Sequence, residues 1–370
     1  MLVHAASFPE ARGSGRAGTP RVPPVPLALL TGFLGSGKTT LLNRLLGDDD
    51  MKHTLVFVNE LGEIPIDHLL MEFVDAETVV TSTGCICCVA PSELAASLDR
   101  FLSARERGDV AFDRIVVETT GLADPVPVLT TLFRHPALMR RLRLDSVITA
   151  LDALNAPRDT AGFAEARRQL AFADRIVVTK RDLATKHELR AAIETLRAHN
   201  PAADIVPKPT PAALFGAGLW NPATRQADPA RWMRAESYPT VATPHHTTDV
   251  SAACLEIDEP IAWDSLTRWL EWLRTEHLAA LLRMKGVLHL RGGTTPVAIH
   301  GVHDLFHPPL PLPDAPDRHS RIVLITQGTS AATLLAALRE FLAAPNDRGH
   351  PLVSPIHAAT PEPHASVSTV

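Results

Sequence analysis

The sequence predicts an α/β protein: a P-loop nucleotide domain with a mostly parallel sheet covered on both faces, then a smaller α+β domain. Three observations carry this reading. Short apolar runs alternate with helical stretches. A glycine-rich loop at residues 32–39 sits between the first apolar run and the first helical stretch. Apolar patterning weakens near residue 209 and resumes near 250 with a different order of elements.

Residues 1–24 are rich in Gly, Pro, Arg and Ala without apolar periodicity, the composition of a disordered leader. In the nucleotide domain, 25–235, buried strands are expected at 27–30, 54–58, 114–117, 146–151 and 175–178. A helix starts at Lys38. Another covers 92–107, with Leu94, Leu98, Phe101 and Leu102 on one face and Gly108 as its stop. Strands separated by helices imply parallel pairing with helices on both faces. In the second domain, 236–345, strands are expected at 253–257, 286–290, 297–301 and 321–325. Helices fall at 264–278, with Leu266, Trp269, Leu270 and Leu273 inward, and at 331–342. One sheet with helices on one face follows. Residues 346–370 read as a disordered tail, and no internal repeat is present.

A chain of 370 residues is long for one domain and comfortable for two. Its net charge of −5 and lack of a sustained basic run argue against nucleic acid or an anionic membrane as partner. No stretch reaches the roughly 18 apolar residues of a membrane span, and the start lacks the apolar segment of a signal peptide, so the cytoplasm is expected. The four cysteines are Cys85, Cys87, Cys88 and Cys254. Three crowd into four positions, where mutual pairing needs strained geometry, so a reduced thiol cluster fits better than a disulfide framework.

Gly32-Phe-Leu-Gly35-Ser36-Gly37-Lys38-Thr39 satisfies G-x-x-x-x-G-K-[ST] between an apolar strand and a helix start. The glycines let backbone N–H groups turn toward a β-phosphate, and the helix N-terminus adds its positive end. Lys38 is placed for the β/γ-phosphates and the Thr39 hydroxyl for Mg²⁺. Gly32, Gly35, Ser36, Gly37, Lys38, Thr39 and Thr40 are the expected phosphate-side contacts. Thr179-Lys180-Arg181-Asp182 follows the strand DRIVV. Asp182 can accept from both N1–H and N2–H of guanine, a pair adenine lacks, while the Lys180 stem packs along the ring. Glu118-Thr119-Thr120-Gly121 follows the strand RIVV. Glu118 belongs beside Mg²⁺ or the attacking water, and the Gly121 N–H near the γ-phosphate. Residues 58–67, with Glu60, Glu63 and Asp67, are placed as a nucleotide-sensing switch.

Cys85, Cys87 and Cys88 lie just ahead of the helix at 92, whose dipole favours thiolates. Thiolates at this density select soft or borderline cations, Zn²⁺ or Cu⁺. Two or three of them with an outside ligand, Glu63 being the candidate, make a fuller tetrahedral set. A redox thiol switch is the competing reading. Cys254 reads as core. His135, His245, His246, His289, His300, His303 and His307 show no compelling ligand spacing.

With GFLGSGKTT, VNELGEIPID, GCICC, ETTGLADP and TKRD in this order, and KGVLHL and HGVHDLFHPP beyond them, residues 25–345 closely resemble the CobW-like family of metal-handling GTPases. That family lies in the signal-recognition-particle and MinD branch of P-loop proteins. The resemblance implies a metallochaperone or metal-dependent activator, often for zinc, that delivers metal to a client protein using GTP. By carry-over, Lys38, Thr39 and Asp182 hold the nucleotide and Mg²⁺, Glu118 serves hydrolysis, and Cys85, Cys87 and Cys88 hold the transferable metal. Leu61 stands where the family usually has Phe, and Pro65 where it often has Gly; Pro65 stiffens the switch and removes an N–H. The rival readings are a P-loop kinase or ATPase with structural cysteines and a redox-sensing regulatory GTPase. Homo-oligomerisation stays open.

Overall fold

The computed structural model describes residues 24–59, 71–75, 78–83, 91–221, 226–238, 250–303, 305–306, 309–312 and 319–344. Residues 1–23 of the expected leader, the expected tail, residues 60–67 of the expected switch, and Cys85, Cys87 and Cys88 lie outside them, as do His245, His246 and His307.

The first domain runs β1 (Val25–Thr31), α1 (Lys38–Leu46), β2 (Thr54–Asn59), β3 (Met71–Asp75), β4 (Thr78–Thr83), α2 (Pro91–Arg107) and β5 (Arg114–Glu118). It continues with α3 (Pro125–Arg134), α4 (Pro136–Arg141), β6 (Leu142–Asp152), α5 (Ala156–Gly162), α6 (Ala164–Phe172), β7 (Arg175–Thr179), α7 (Lys186–His199) and β8 (Asp204–Ile205). These eight strands form one sheet in the order β3-β4-β2-β5-β1-β6-β7-β8. All neighbours pair in parallel except β3 and β4. The mostly parallel sheet expected from the sequence is what forms.

Alternation along the strands divides the core. Leu27 and Leu29 of β1, with Phe57 and Val117, face Leu94, Leu98, Phe101 and Leu102 of α2. Ala28 and Leu30, with Val56 and Val116, face Leu41, Leu42 and Leu45 of α1. Each fully buried leucine contributes about 1.5–3 kcal/mol of transfer free energy. Gly108 ends α2 at φ +81°, and the Asp109 N–H bonds back to Ala104 O at 2.9 Å, so the expected stop operates through a left-handed cap.

After α8 (Pro211–Leu214), a two-stranded ribbon of β9 (Trp220–Asn221) and β10 (Gln226–Ala227) and then α9 (Pro229–Met233) lead to the second domain. It comprises β11 (Val250–Ile257), α10 (Trp263–Glu276), β12 (Leu281–Leu288), β13 (Val297–Val302), β14 (Leu305–Phe306), β15 (Leu310–Pro311), β16 (Ser320–Gln327) and α11 (Ala331–Ala343). Its antiparallel sheet has the order β11-β16-β12-β13-β14, with β15 also on β13. The helices α10 and α11 cover one face, and Trp269 donates its indole N–H to Leu334 O at 3.0 Å inside that layer.

The sequence reading did not anticipate β3, β4 or β8, the β9–β10 ribbon, β14 or β15, and two further features depart from it. The strand expected at 286–290 begins five residues earlier, at Leu281, because Arg283 and Lys285 break the apolar pattern although every residue of β12 is buried. The second face of this sheet is covered too. Cys254, Val287, Ala298 and Val323 pack on Trp232 and Met233 of α9. Leu282, Val302 and Ile325 share a core with Leu142, Val147 and Phe172 of the first domain.

The two domains are also joined by charge. Asp174, just before β7, receives Lys285 Nζ at 2.8 Å and Arg283 Nη2 at 3.3 Å, while Arg283 Nη1 donates to Phe172 O at 2.7 Å. Burial by itself raises the Asp174 carboxyl, but Arg283 and then Lys285 outweigh it and hold it well below the usual carboxylate range. Burial pushes the Lys285 ammonium down to about 8, with Arg283 adding to the shift and Asp174 opposing it.

Candidate functional site

The C-terminal ends of β1, β5 and β7 converge on one point, where open parallel sheets bind ligands. After β1 the chain turns through Gly32, Gly35 and Gly37 at φ +144°, +67° and +84°. At Gly32 the requirement is twofold, because an added Cβ would also lie 2.4 Å from Ala150 O. Gly37 then caps α1, whose first turn carries Lys38, Thr39 and Thr40.

Lys38 Nζ donates to Gly32 O at 2.9 Å and to Phe33 O at 3.1 Å, so the ammonium is held inside the loop's own curve. Burial lowers its pKa, and the negative charge of Glu118 works the other way. Thr39 Oγ1 donates to Glu118 Oε1 at 2.7 Å. Glu118 is buried at the end of β5, while Thr39 and Thr40 are exposed. A hydroxyl and a carboxylate oxygen in contact beside a phosphate loop form a hard, oxygen-only donor pair suited to Mg²⁺.

The Glu118 loop is pinned to the phosphate loop. Thr119 N–H donates to Leu30 O and Thr119 Oγ1 to Thr31 Oγ1, both at 2.9 Å. A Cβ on Gly121 would lie 2.6 Å from Leu34 Cα, so Gly121 is needed for its approach to the phosphate loop itself. The 179–182 loop is pinned likewise, through Thr179 Oγ1 to Ser36 O at 2.7 Å. Lys180 adopts a left-handed backbone at φ +53° and binds Asp152 Oδ2 at 2.8 Å. Burial raises the Asp152 carboxyl, but hydrogen bonds from Lys180, Asn155 and Leu154 N–H outweigh this and lower it. Asp182 is exposed at the mouth of this loop.

Gly32, Gly35, Ser36, Gly37, Lys38, Thr39, Glu118, Gly121 and Lys180 are thus brought around one site. Cys85, Cys87, Cys88 and Glu63 fall outside the described residues. Among the described residues, no group of three or more His, Cys, Asp or Glu could hold a metal. Cys254 is buried, its thiol pushed up to about 12 by burial, as expected of a core residue. His300 stacks edge-on against Trp232 at 6.1 Å, and His135 precedes α4. No described helix is long and apolar enough to cross a membrane.

Sequence reasoning missed Asp152 and Gln169. Asp152 carries a signal, since it ends an apolar parallel strand at the edge where the site lies. Gln169 carries none. It sits within α6 and is 1% exposed, and its Nε2 donates to Gly121 O at 3.1 Å and Ala123 O at 3.0 Å.

Comparison with known proteins agrees with this architecture. Residues 26–207 match the family model for the CobW/HypB/UreG nucleotide-binding domain, and residues 250–342 match the cobalamin synthesis protein cobW C-terminal domain. The chain is 32% identical over 309 residues to the zinc chaperone YjiA of Escherichia coli, covering 82% of this chain and 94% of that protein. It is 34% identical over 194 residues to the zinc-regulated GTPase metalloprotein activator 1 of Schizosaccharomyces pombe, spanning 50% of this chain and 45% of that protein. The crystal structure of Zn(II)-bound YjiA GTPase from E. coli superposes with a TM-score of 0.63 at 29% identity, covering 87% of this chain and 99% of that one.

Proposed function

Since the chain belongs to the CobW/HypB/UreG family, with a cobW C-terminal domain behind its nucleotide domain, we propose that it is a GTP-hydrolysing metallochaperone that delivers zinc to a client metalloprotein. The carrying observation is the contact of Thr39 Oγ1 with Glu118 Oε1 at 2.7 Å beside Lys38. Thr39, with Glu118 beside it, would hold Mg²⁺, which when bound neutralises charge on the β- and γ-phosphates. Lys38 leaves the Gly32 and Phe33 carbonyls to pair with phosphate oxygens. Asp182 accepts from guanine while Asp152 holds Lys180 along the ring. Glu118 orients the attacking water or accepts its proton, and the Gly121 N–H lies at the γ-phosphate side.

Zinc is the cargo, taken by Cys85, Cys87 and Cys88 with Glu63. What supports this set is the end of the sheet before it. Asn59, the last residue of β2, is in register with Thr83, the last of β4, on strands about 4.8 Å apart. Glu63 is four residues past Asn59 and Cys85 two past Thr83, spans of at most about 14 Å and 7 Å. Both departures lie on the edge that carries Glu118, so γ-phosphate binding can act on the segment bearing Glu63.

The test is Zn²⁺ affinity of the full chain with a non-hydrolysable GTP analogue and with GDP. Affinity about tenfold or more tighter in the triphosphate state is expected, and Cys87→Ser removes the stoichiometric metal. Equal affinities in the two states would sink the coupling.

A further inference from the structure

The loop from Glu118 to Asp124 is held from behind by two consecutive residues of α6. Gln169 spends both amide hydrogens on the carbonyls of Gly121 and Ala123. Two carbonyl oxygens facing one group demand a donor, so the amide can sit only this way round. Thr149 Oγ1 donates to Gln169 O at 2.9 Å, which fixes this part of α6 to β6. Arg168 reaches in two directions. Its Nη1 binds Asp124 Oδ2 at 2.6 Å, and its Nε donates to Gln327 Oε1 at 2.8 Å. Asp124 is the cap of α3, its Oδ1 accepting from Val126 N–H at 2.9 Å. Gln327 is the last residue of β16 and belongs to the second domain.

We propose that Arg168 and Gln169 are positioning residues that tie the 118–124 loop to the second domain, so that the Arg168–Gln327 contact sets how firmly Gly121 is held for GTP hydrolysis. This rests on the GTPase reading given above. Gly121 abuts the phosphate loop at Leu34, so slack at Asp124 reaches the γ-phosphate side of the site through one short turn, Ala123 N–H to Thr120 O at 3.1 Å. A partner that draws on the end of β16 thereby acts on hydrolysis without touching nucleotide. Gln327 accepts from Arg168 and donates its backbone N–H to Ala280 O at 2.8 Å, groups outside the phosphate loop, which separates this role from a catalytic one.

The experiment uses the full chain and two readouts: amide hydrogen exchange of residues 120–124 without nucleotide, and steady-state GTP turnover. Gln327→Ala is expected to speed exchange in that loop about five- to tenfold. It should lower kcat about threefold or more while KM for GTP stays within about twofold. Gln327→Glu keeps an oxygen acceptor for Arg168 and is expected to restore parental exchange and turnover. Adding Gln327→Ala to Arg168→Ala should change neither readout further, because the two act through one contact. Parental exchange in Gln327→Ala, or failure of Gln327→Glu to restore it, overturns the proposal. A parent protein that does not hydrolyse GTP overturns the GTPase reading instead, and the exchange measurement still decides whether the second domain holds the loop.

Discussion

Thr39 donates a 2.7 Å hydrogen bond to the buried carboxylate of Glu118, joining the first turn of α1 to the end of β5. The contact unites the residue that follows the phosphate-loop lysine with a strand-end carboxylate 79 positions away. It arises because β1 and β5 are neighbours in the sheet, with Leu30 level with Glu118.

Glu118→Gln keeps the shape and an acceptor for Thr39 while removing the charge. GTP turnover should fall about a hundredfold or more, the usual cost of losing a general base. Nucleotide affinity should remain within about fivefold of the parent. Single-turnover phosphate release beside equilibrium binding of a fluorescent GTP analogue separates the two effects.

Gly121→Ala places a methyl where Leu34 Cα lies 2.6 Å away, so the 118–124 loop and the phosphate loop must part. A stability loss of about 1–3 kcal/mol is expected from overpacking. Turnover should fall by more than nucleotide binding does. A parental melting temperature with parental turnover would contradict the close approach.

Asp182→Asn replaces the proposed acceptor for guanine N1–H and N2–H with an amide that can donate to a carbonyl. GTP affinity should drop about a hundredfold, and xanthosine triphosphate, with its C2 carbonyl, should now compete well. Competition binding with GTP, ATP and xanthosine triphosphate checks this, and it excludes an adenine-using kinase or ATPase if GTP wins in the parent.

Asp174→Asn removes the carboxylate that neutralises Arg283 and Lys285 in the domain interface. Leaving two buried cations without it should cost about 3–5 kcal/mol at pH 7. The folded-state pKa of Asp174 is depressed, so its stabilisation is complete above the unfolded value near 4 and is lost as pH falls through the folded value. The stability gap between parent and variant should therefore narrow below pH 4, and from pH 5 to 7 it should not grow, because Lys285 loses the support of Asp174 in the variant and sheds its proton more readily. Denaturant titrations across that range measure it.

Much of the placement of the candidate site was legible before the fold. The glycine loop, the carboxylate after RIVV and T-K-x-D each follow an apolar strand, and parallel strands deliver their C-terminal ends to one edge. Asp152 was legible in principle for the same reason. Gln169 and Arg168 were not, because their partners Gly121, Ala123, Asp124 and Gln327 are 44 to 159 positions away and a helix surface has no local pattern that names them. The start of β12 was hidden for a related reason. Arg283 and Lys285 look like surface residues until Asp174 meets them across the interface.

What the amino-acid order determined alone is the principal elements and local chemistries, because strand alternation, helix periodicity, glycine conformation and the reach of a lysine or threonine within its own loop depend on neighbours in the chain. What only the tertiary structure decided is which of those chemistries meet. Thr39 reaches Glu118, Lys180 reaches Asp152, and Asp174 takes Arg283 and Lys285 from another domain. Those meetings depend on strand order in the sheet and on the face that the second domain presents, and both are set by long-range burial of apolar surface rather than by local preference.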